Sequence, residues 1–366
     1  MLVLLDGSRW DRVNHSPEFC EIMREGTLMN NITTAIPYTI GSVNVLLSGL
    51  YGKENGIDAY YKMFKLKDSV KILPEILKEE GYFTACDLLS EKIISKRGFD
   101  IHQSHDEYKD DLTSRHPKFI KNCLTKANNK PLFLFLYFSR IHTVTVSEVL
   151  KKYEWDNKEF YSRKKENLAN YDKTFLEVGN YAKIIKKTIE ELGMFNNTIL
   201  IFFSDHGTGI GERFGERNYG SFTYEETIRT FFLFIGKDMI KNRINEKLRE
   251  NIDIFPTILE LIGVKTKFDG HGESFGEYLK NMNKDLASKK YVYSETGALQ
   301  GPFPSPMRPN VFCVKTEDHK LIYLETPQEW RLYDLKNDPN EINNIYKKNK
   351  IVSKELERKL LEWINR

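Results

Sequence analysis

The run Ile199-Leu200-Ile201-Phe202-Phe203 is continuously apolar, and it stops abruptly at Ser204-Asp205-His206-Gly207-Thr208-Gly209. A run of aliphatic, β-branched and aromatic residues without polar alternation is the pattern of a strand buried on both faces, which belongs to a parallel sheet covered by helices. In such sheets ligands bind in the crevice beyond the carboxyl ends of the strands. An Asp and a His at that end, followed by glycines that let the backbone turn tightly, can present a carboxylate oxygen and an imidazole nitrogen to one divalent cation. Read alone, Asp205 is equally a turn cap and His206 equally a polar surface group.

The amino terminus repeats the pattern. Leu2-Val3-Leu4-Leu5 runs straight into Asp6-Gly7-Ser8-Arg9-Trp10-Asp11. Carboxyl ends of adjacent parallel strands converge, so Asp6 and Asp205 are expected to share a cation. Thr33 to Ser42 is rich in hydroxyls, punctuated by Pro37 and Gly41, and leads into a short helix over Val43 to Ser48. A hydroxyl at that helix start lies where unpaired N–H groups favour an anion, or serves as an ordinary N-cap. A further apolar strand, Leu132 to Phe138, ends at Ser139-Arg140-Ile141-His142. Residues 146–168 are charged and aromatic without a clear period and read as a mobile insertion able to cover a site, and a helix is expected from about Tyr171 to Leu192. From about Ser288 short strands alternate with turns before a closing helix, the pattern of a small antiparallel sheet.

A chain of 366 residues that is 40% hydrophobic can bury a sizeable core. Its 55 basic and 52 acidic residues leave a net charge of +3, too balanced to call for nucleic acid or a membrane surface. Cys20, Cys86, Cys123 and Cys313 are widely spaced and form no C-x-x-C pair, so neither a disulfide scaffold nor a cysteine zinc site is indicated. No apolar run approaches the ~18 residues of a membrane span, and no leader precedes the first strand, so a cytoplasmic location is expected.

In chain order these landmarks resemble the sulfatase branch of the alkaline phosphatase superfamily over nearly the whole sequence. Leu4-Leu5-Asp6-Gly7-Ser8-Arg9-Trp10-Asp11 resembles the family's first metal carboxylate, Leu46-Leu47-Ser48-Gly49-Leu50-Tyr51 its "LLTGxY" helix end, and Leu77 to Thr84 its "LKxxGYxT". Ile141-His142 resembles its active-site histidine, Ser204-Asp205-His206-Gly207 its metal-binding "SDHG", and Tyr224 to Arg229 its "YEExxR". Asp253 to Thr257 matches "DxxPT", and Leu332 to Glu341 matches "LYDLxxDPxE". The resemblance implies an α/β fold with an alkaline-phosphatase-like mixed, mostly parallel sheet between helices. A catalytic domain over residues 1–287 would be followed by a small C-terminal α+β subdomain over 288–366, an antiparallel sheet plus a helix.

Counting back from Gly49 without a gap places the family's nucleophile at Thr39. Sulfatases carry there a Cys or Ser, in Cys/Ser-x-Pro-x-Arg, that becomes formylglycine. This chain has Thr39-Ile40-Gly41-Ser42-Val43, and threonine cannot form that aldehyde. The family's His-Gly after the helix is Asn55-Gly56, and its Lys before "YEE" is Gly220. Because threonine is the nucleophile in superfamily relatives that act on phosphate diesters and phosphoethanolamine, the expectation is hydrolysis of phosphate mono- or diesters, or phosphoryl transfer, through Thr39. One divalent cation (zinc, manganese, magnesium or calcium) would be held by Asp6, Asp205, His206 and the Thr39 hydroxyl, which activates the hydroxyl for attack. His142 would donate to the leaving oxygen or to a non-bridging oxygen, with Arg9 and Asn44 contacting the substrate, a small-molecule or glycan-linked anionic ester. Two alternatives stand: a true sulfatase using Ser42, and a catalytically inactive binding protein on the same fold.

Overall fold

The computed structural model describes residues 1–58, 65–266, 269–297, 301–305 and 307–366. Its centre is a sheet whose strands, numbered in chain order, are β1 (Leu2–Leu5), β2 (Gly26–Thr33), β3 (Phe83–Leu88), β4 (Ile101–Ser104), β5 (Leu132–Phe138), β6 (Leu200–Phe203), β7 (Arg229–Ile235), β8 (Arg243–Asn245) and β9 (Arg249–Glu250). The spatial order is β4-β3-β5-β1-β6-β7-β2-β8, with β9 beside β2. The block β4-β3-β5-β1-β6 is parallel throughout, and β7 alone runs antiparallel to its neighbours. Five carboxyl ends therefore open on one edge. The first strand lies between β5 and β6, with Leu5 opposite Phe138 and Leu4 opposite Phe203.

Both faces of the sheet are covered, as the continuous apolar runs require. Leu2, Leu4, Phe135, Ile201 and Phe203 pack on one side with Leu46, Leu73 and Phe255; Val3, Leu5, Leu134 and Phe202 pack on the other with Phe119, Phe175 and Ile185. Period 2 along each strand sorts these residues to opposite faces. No helix among the described residues is long and apolar enough to cross a membrane.

A second sheet is fully antiparallel: β10 (Val292–Thr296), β11 (Val311–Lys315), β12 (His319–Leu324) and β13 (Glu329–Asp334), in that order. The helix Lys350–Ile364 lays Leu356, Leu360 and Trp363 against Phe312, Val314, Leu321 and Leu332. That core runs on into Ala35, Ile36, Tyr38 and Val45, so the segment carrying Thr39 is wedged between the two sheets. The main-chain N–H of Glu295 donates to the Ala35 carbonyl at 2.9 Å, fixing the junction.

Two segments depart from the sequence expectation. Residues 146–168 are helical for much of their length: a π turn at Val146–Leu150, a short helix Lys158–Ser162, and the start of the 28-residue helix Lys164–Glu191. The apolar period is hidden there because Phe160 alone anchors the short helix. The strand Gly26–Thr33 also goes unread from sequence, since Asn30 and Asn31 interrupt its apolar pattern at a register irregularity between Met29 and Ile32.

Candidate active site

The turns after β1 and β6 are stitched together. Gly7 adopts φ +66°, and a Cβ there would approach Thr208 Oγ1 to 2.8 Å, so glycine allows the close passage of the two loops. The Thr208 hydroxyl donates to the Gly7 carbonyl at 2.8 Å, and the Gly7 N–H reaches Asp205 Oδ1 at 3.3 Å. Gly207 is equally constrained: a Cβ would fall 2.1 Å from the Glu226 carbonyl oxygen.

Asp6, Asp205 and His206 are all buried and each offers a donor atom to one point, the three atoms lying within 4.8 Å of one another. His206 Nε2 is 3.5 Å from Asp6 Oδ1 and 3.4 Å from Asp205 Oδ2. Its Nδ1 faces the Gly207 carbonyl at 2.8 Å, which assigns the hydrogen to Nδ1 and turns the Nε2 lone pair toward the two carboxylates. Thr39, the first residue of the helix Thr39–Ser48, places its hydroxyl oxygen 3.3 Å from His206 Nε2 and 3.5 Å from Asp6 Oδ1. His142, from the helix Arg140–Thr145, brings Nδ1 to 3.5 Å from Asp6 Oδ2 and is the most exposed member of the group, at 20% for its side chain.

Burial, reinforced by the Asp205 carboxylate, pushes Asp6 up to about 7. Asp205 Oδ2 is buried without a hydrogen-bond partner. Two close carboxylates, one oxygen orphaned, beside an outward-turned imidazole lone pair and a hydroxyl, form a hard-to-borderline donor set that a divalent cation satisfies. The residues fit such an ion. Burial also holds the His142 imidazole below its ordinary value.

The remaining expected residues lie elsewhere. Arg9 is bound bidentately to Asp11 at 2.9 Å for both contacts and also to Glu212 at 2.6 Å, so its guanidinium braces the loop after β1. Asn44 donates from Nδ2 to the carbonyls of Ile40 and Ile93 at 2.8 and 2.9 Å, and lines a cavity of about 580 Å³ together with Lys65, Lys92 and Arg97. Ser42 donates to the Asp205 carbonyl at 2.8 Å and accepts from Thr34 and Asn251, a hydroxyl spent on holding the loop.

Sequence reasoning missed Tyr137, which donates to Asp6 Oδ2 at 2.6 Å. It sits inside an apolar strand and reads as core; its place one residue before the end of β5, beside β1, is the signal that could have found it.

The sulfatase family profile matches residues 2–264, and a second profile, "N-sulphoglucosamine sulphohydrolase, C-terminal", matches residues 215–366. An N-acetylglucosamine-6-O-sulfatase of Bacteroides thetaiotaomicron is 30% identical over 198 residues, covering 52% of this chain and 34% of the relative. A Delta 4,5-hexuronate-2-O-sulfatase of the same organism is 27% identical over 192 residues, covering 50% of this chain and 38% of the relative. The match to these curated relatives thus spans only about a third of their length. A solved structure described in complex with its substrate D-glucosamine-2-N,6-O-disulfate superposes with a TM-score of 0.75 at 20% identity, covering 99% of this chain and 96% of the other, and confirms the fold.

These similarities correct the expectation of phosphate-ester hydrolysis or phosphoryl transfer. Curated relatives of this chain are named for sulfate esters, so the sulfatase alternative is the better supported reading. With the profile matching most of its length, and the parallel sheet and small antiparallel sheet in place, the chain belongs to the sulfatase family of the alkaline phosphatase superfamily.

Proposed function

We propose that this chain hydrolyses sulfate esters carried on saccharides. The observation that carries the reading is the convergence of Asp6, Asp205, His206 and the Thr39 hydroxyl at one buried point, in a chain whose relatives are named as glycan sulfatases.

A divalent cation held by Asp6, Asp205 and His206, with zinc, manganese, magnesium and calcium all compatible with these donors, supplies charge for a sulfate oxygen and lowers the cost of ionising a hydroxyl. Thr39 presents its oxygen at the start of a ten-residue helix, where free N–H groups favour the anionic sulfate. Threonine carries a methyl on Cβ and so cannot give the aldehyde of a formylglycine. Its chemistry is instead direct: Oγ1 forms a bond to sulfur as the bond from sulfur to the sugar oxygen breaks. His142, on the open side of the cluster, would take the Thr39 hydroxyl proton and pass it to the departing sugar oxygen, ending unchanged in charge. Water would then attack the same sulfur as the bond from Oγ1 to sulfur breaks, its proton passing through His142 to the Thr39 oxygen, which releases sulfate with the threonine restored. Tyr137 keeps Asp6 oriented throughout.

The test is release of inorganic sulfate from glucosamine 6-sulfate, an unsaturated uronate 2-sulfate and an aryl sulfate, each run beside the matching phosphate ester with each of the four cations. The proposal expects sulfate release from a saccharide, with the phosphate ester slower. Faster phosphate release on every pair would overturn it.

A further inference from the structure

A second group of donor atoms lies two strands along the same sheet edge. Asp87 in β3, His105 just after β4 and His116 in the helix Leu112–Ala127 each bring one ligand atom within 4.8 Å of the others. Asp87 and His116 are fully buried and His105 nearly so. Asp87 Oδ1 faces His105 Nδ1 at 2.9 Å, while His116 Nε2 is buried with no hydrogen-bond partner.

We propose that Asp87, His105 and His116 form a second divalent-cation site, structural rather than catalytic, with the two-imidazole, one-carboxylate donor set of zinc. The spacing suits it. Ligands about 2.0 Å from a tetrahedral ion stand about 3.3 Å apart; the Asp87–His105 pair at 2.9 Å is a few tenths of an ångström from that, and the three ligand atoms together lie within 4.8 Å. The outer atoms of all three ligands are already anchored, as ligands of a metal generally are. Asp87 Oδ2 accepts from Arg115 Nε at 2.7 Å and Gln103 Nε2 at 2.8 Å, His116 Nδ1 meets Tyr181 Oη at 2.5 Å, and His105 Nε2 meets Ser139 Oγ at 3.4 Å. Of the carboxylate and ring atoms of these three residues, only His116 Nε2 is left without a partner.

The series Ser139, His105, Asp87 is also a run of hydroxyl, imidazole and carboxylate, yet Ser139 is buried and the series leaves the His116 nitrogen without a role. A cation there ties the ends of β3, β4 and the helix Leu112–Ala127 together behind Tyr137, whose ring centroid is 6.2 Å from that of His105.

The full chain, stripped with chelator and reloaded with zinc chloride, tests this by metal analysis and thermal unfolding. An Asp6→Asn/Asp205→Asn chain should retain one zinc per chain, with unfolding shifted upward by the metal. Adding His116→Phe to that background should remove both the zinc and the shift. X-ray absorption of the Asp6→Asn/Asp205→Asn chain should show two imidazole ligands, a reading that stands even if His116→Phe does not fold. Zinc absent from the Asp6→Asn/Asp205→Asn chain, zinc surviving His116→Phe, or a spectrum without imidazole scattering would each overturn the site.

Discussion

The Thr39 hydroxyl oxygen lies 3.3 Å from His206 Nε2, although 167 residues separate the two. The contact joins the start of the helix Thr39–Ser48 to the turn after β6 and puts a hydroxyl where the proposed mechanism needs its nucleophile. Thr39→Ala should therefore lower sulfate release about 10³-fold or more, with the fold retained. Thr39→Ser should keep a measurable rate, since the hydroxyl survives and only a rotamer-restricting methyl is lost. Steady-state rates on one sulfated saccharide check both.

Tyr137→Phe removes the 2.6 Å hydrogen bond to Asp6 Oδ2 and nothing larger than one oxygen. Partners that orient a metal-binding carboxylate are worth about 10- to 100-fold in affinity or activity. A loss of that size in cation affinity, read by titration of the metal-free chain, is expected without a comparable loss in melting temperature.

Lys320 is fully buried between Glu225, at 3.1 Å, and Glu341, at 2.6 Å, and the Glu225 N–H donates to Glu341 at 2.8 Å. This cluster joins the main sheet to the second one. Lys320→Met would strand two buried carboxylates, although Lys315 still pairs with Glu225 at 2.8 Å, and should cost about 3 to 5 kcal/mol in denaturant unfolding. Adding Glu341→Leu should recover part of that loss.

Glu295 in β10 is buried with Oε1 unpartnered, and burial pushes its carboxyl up to about 8. Between about 4.5, where the unfolded carboxyl ionises, and about 8, where the folded one does, the folded state binds the extra proton. This group's contribution to stability is complete below that window and falls as pH rises through it, by up to about 1.4 kcal/mol per unit. Glu295→Gln should flatten the decline, seen as a smaller spread of melting temperatures between pH 5 and pH 8.

Asp6, Asp205 and His206 were legible in the sequence because each ends an apolar strand in an abrupt change of polarity, and strand order then forces those ends together. Thr39 was legible only through ungapped spacing from Gly49, since a threonine at a helix start is locally an ordinary cap. Arg9 pairs with Asp11 only two residues on, but its other carboxylate, Glu212, and the Ile93 carbonyl that holds Asn44 are 203 and 49 residues away. Such pairings leave no local trace. The same is true of Asp87, His105 and His116, which meet only after β3 and β4 pair. The glutamates Glu225 and Glu341 lie in motifs that carry the family resemblance, and the structure employs them with Lys320 at the junction of the sheets.

The most direct measurement is hydrolysis of glucosamine 6-sulfate in water enriched in oxygen-18, by the cation-loaded chain and its Asp205→Asn variant. Attack at sulfur predicts that the released sulfate carries one heavy oxygen, that the sugar carries none, and that the variant releases almost no sulfate. Heavy oxygen in the sugar, or sulfate release undiminished by Asp205→Asn, would contradict the account.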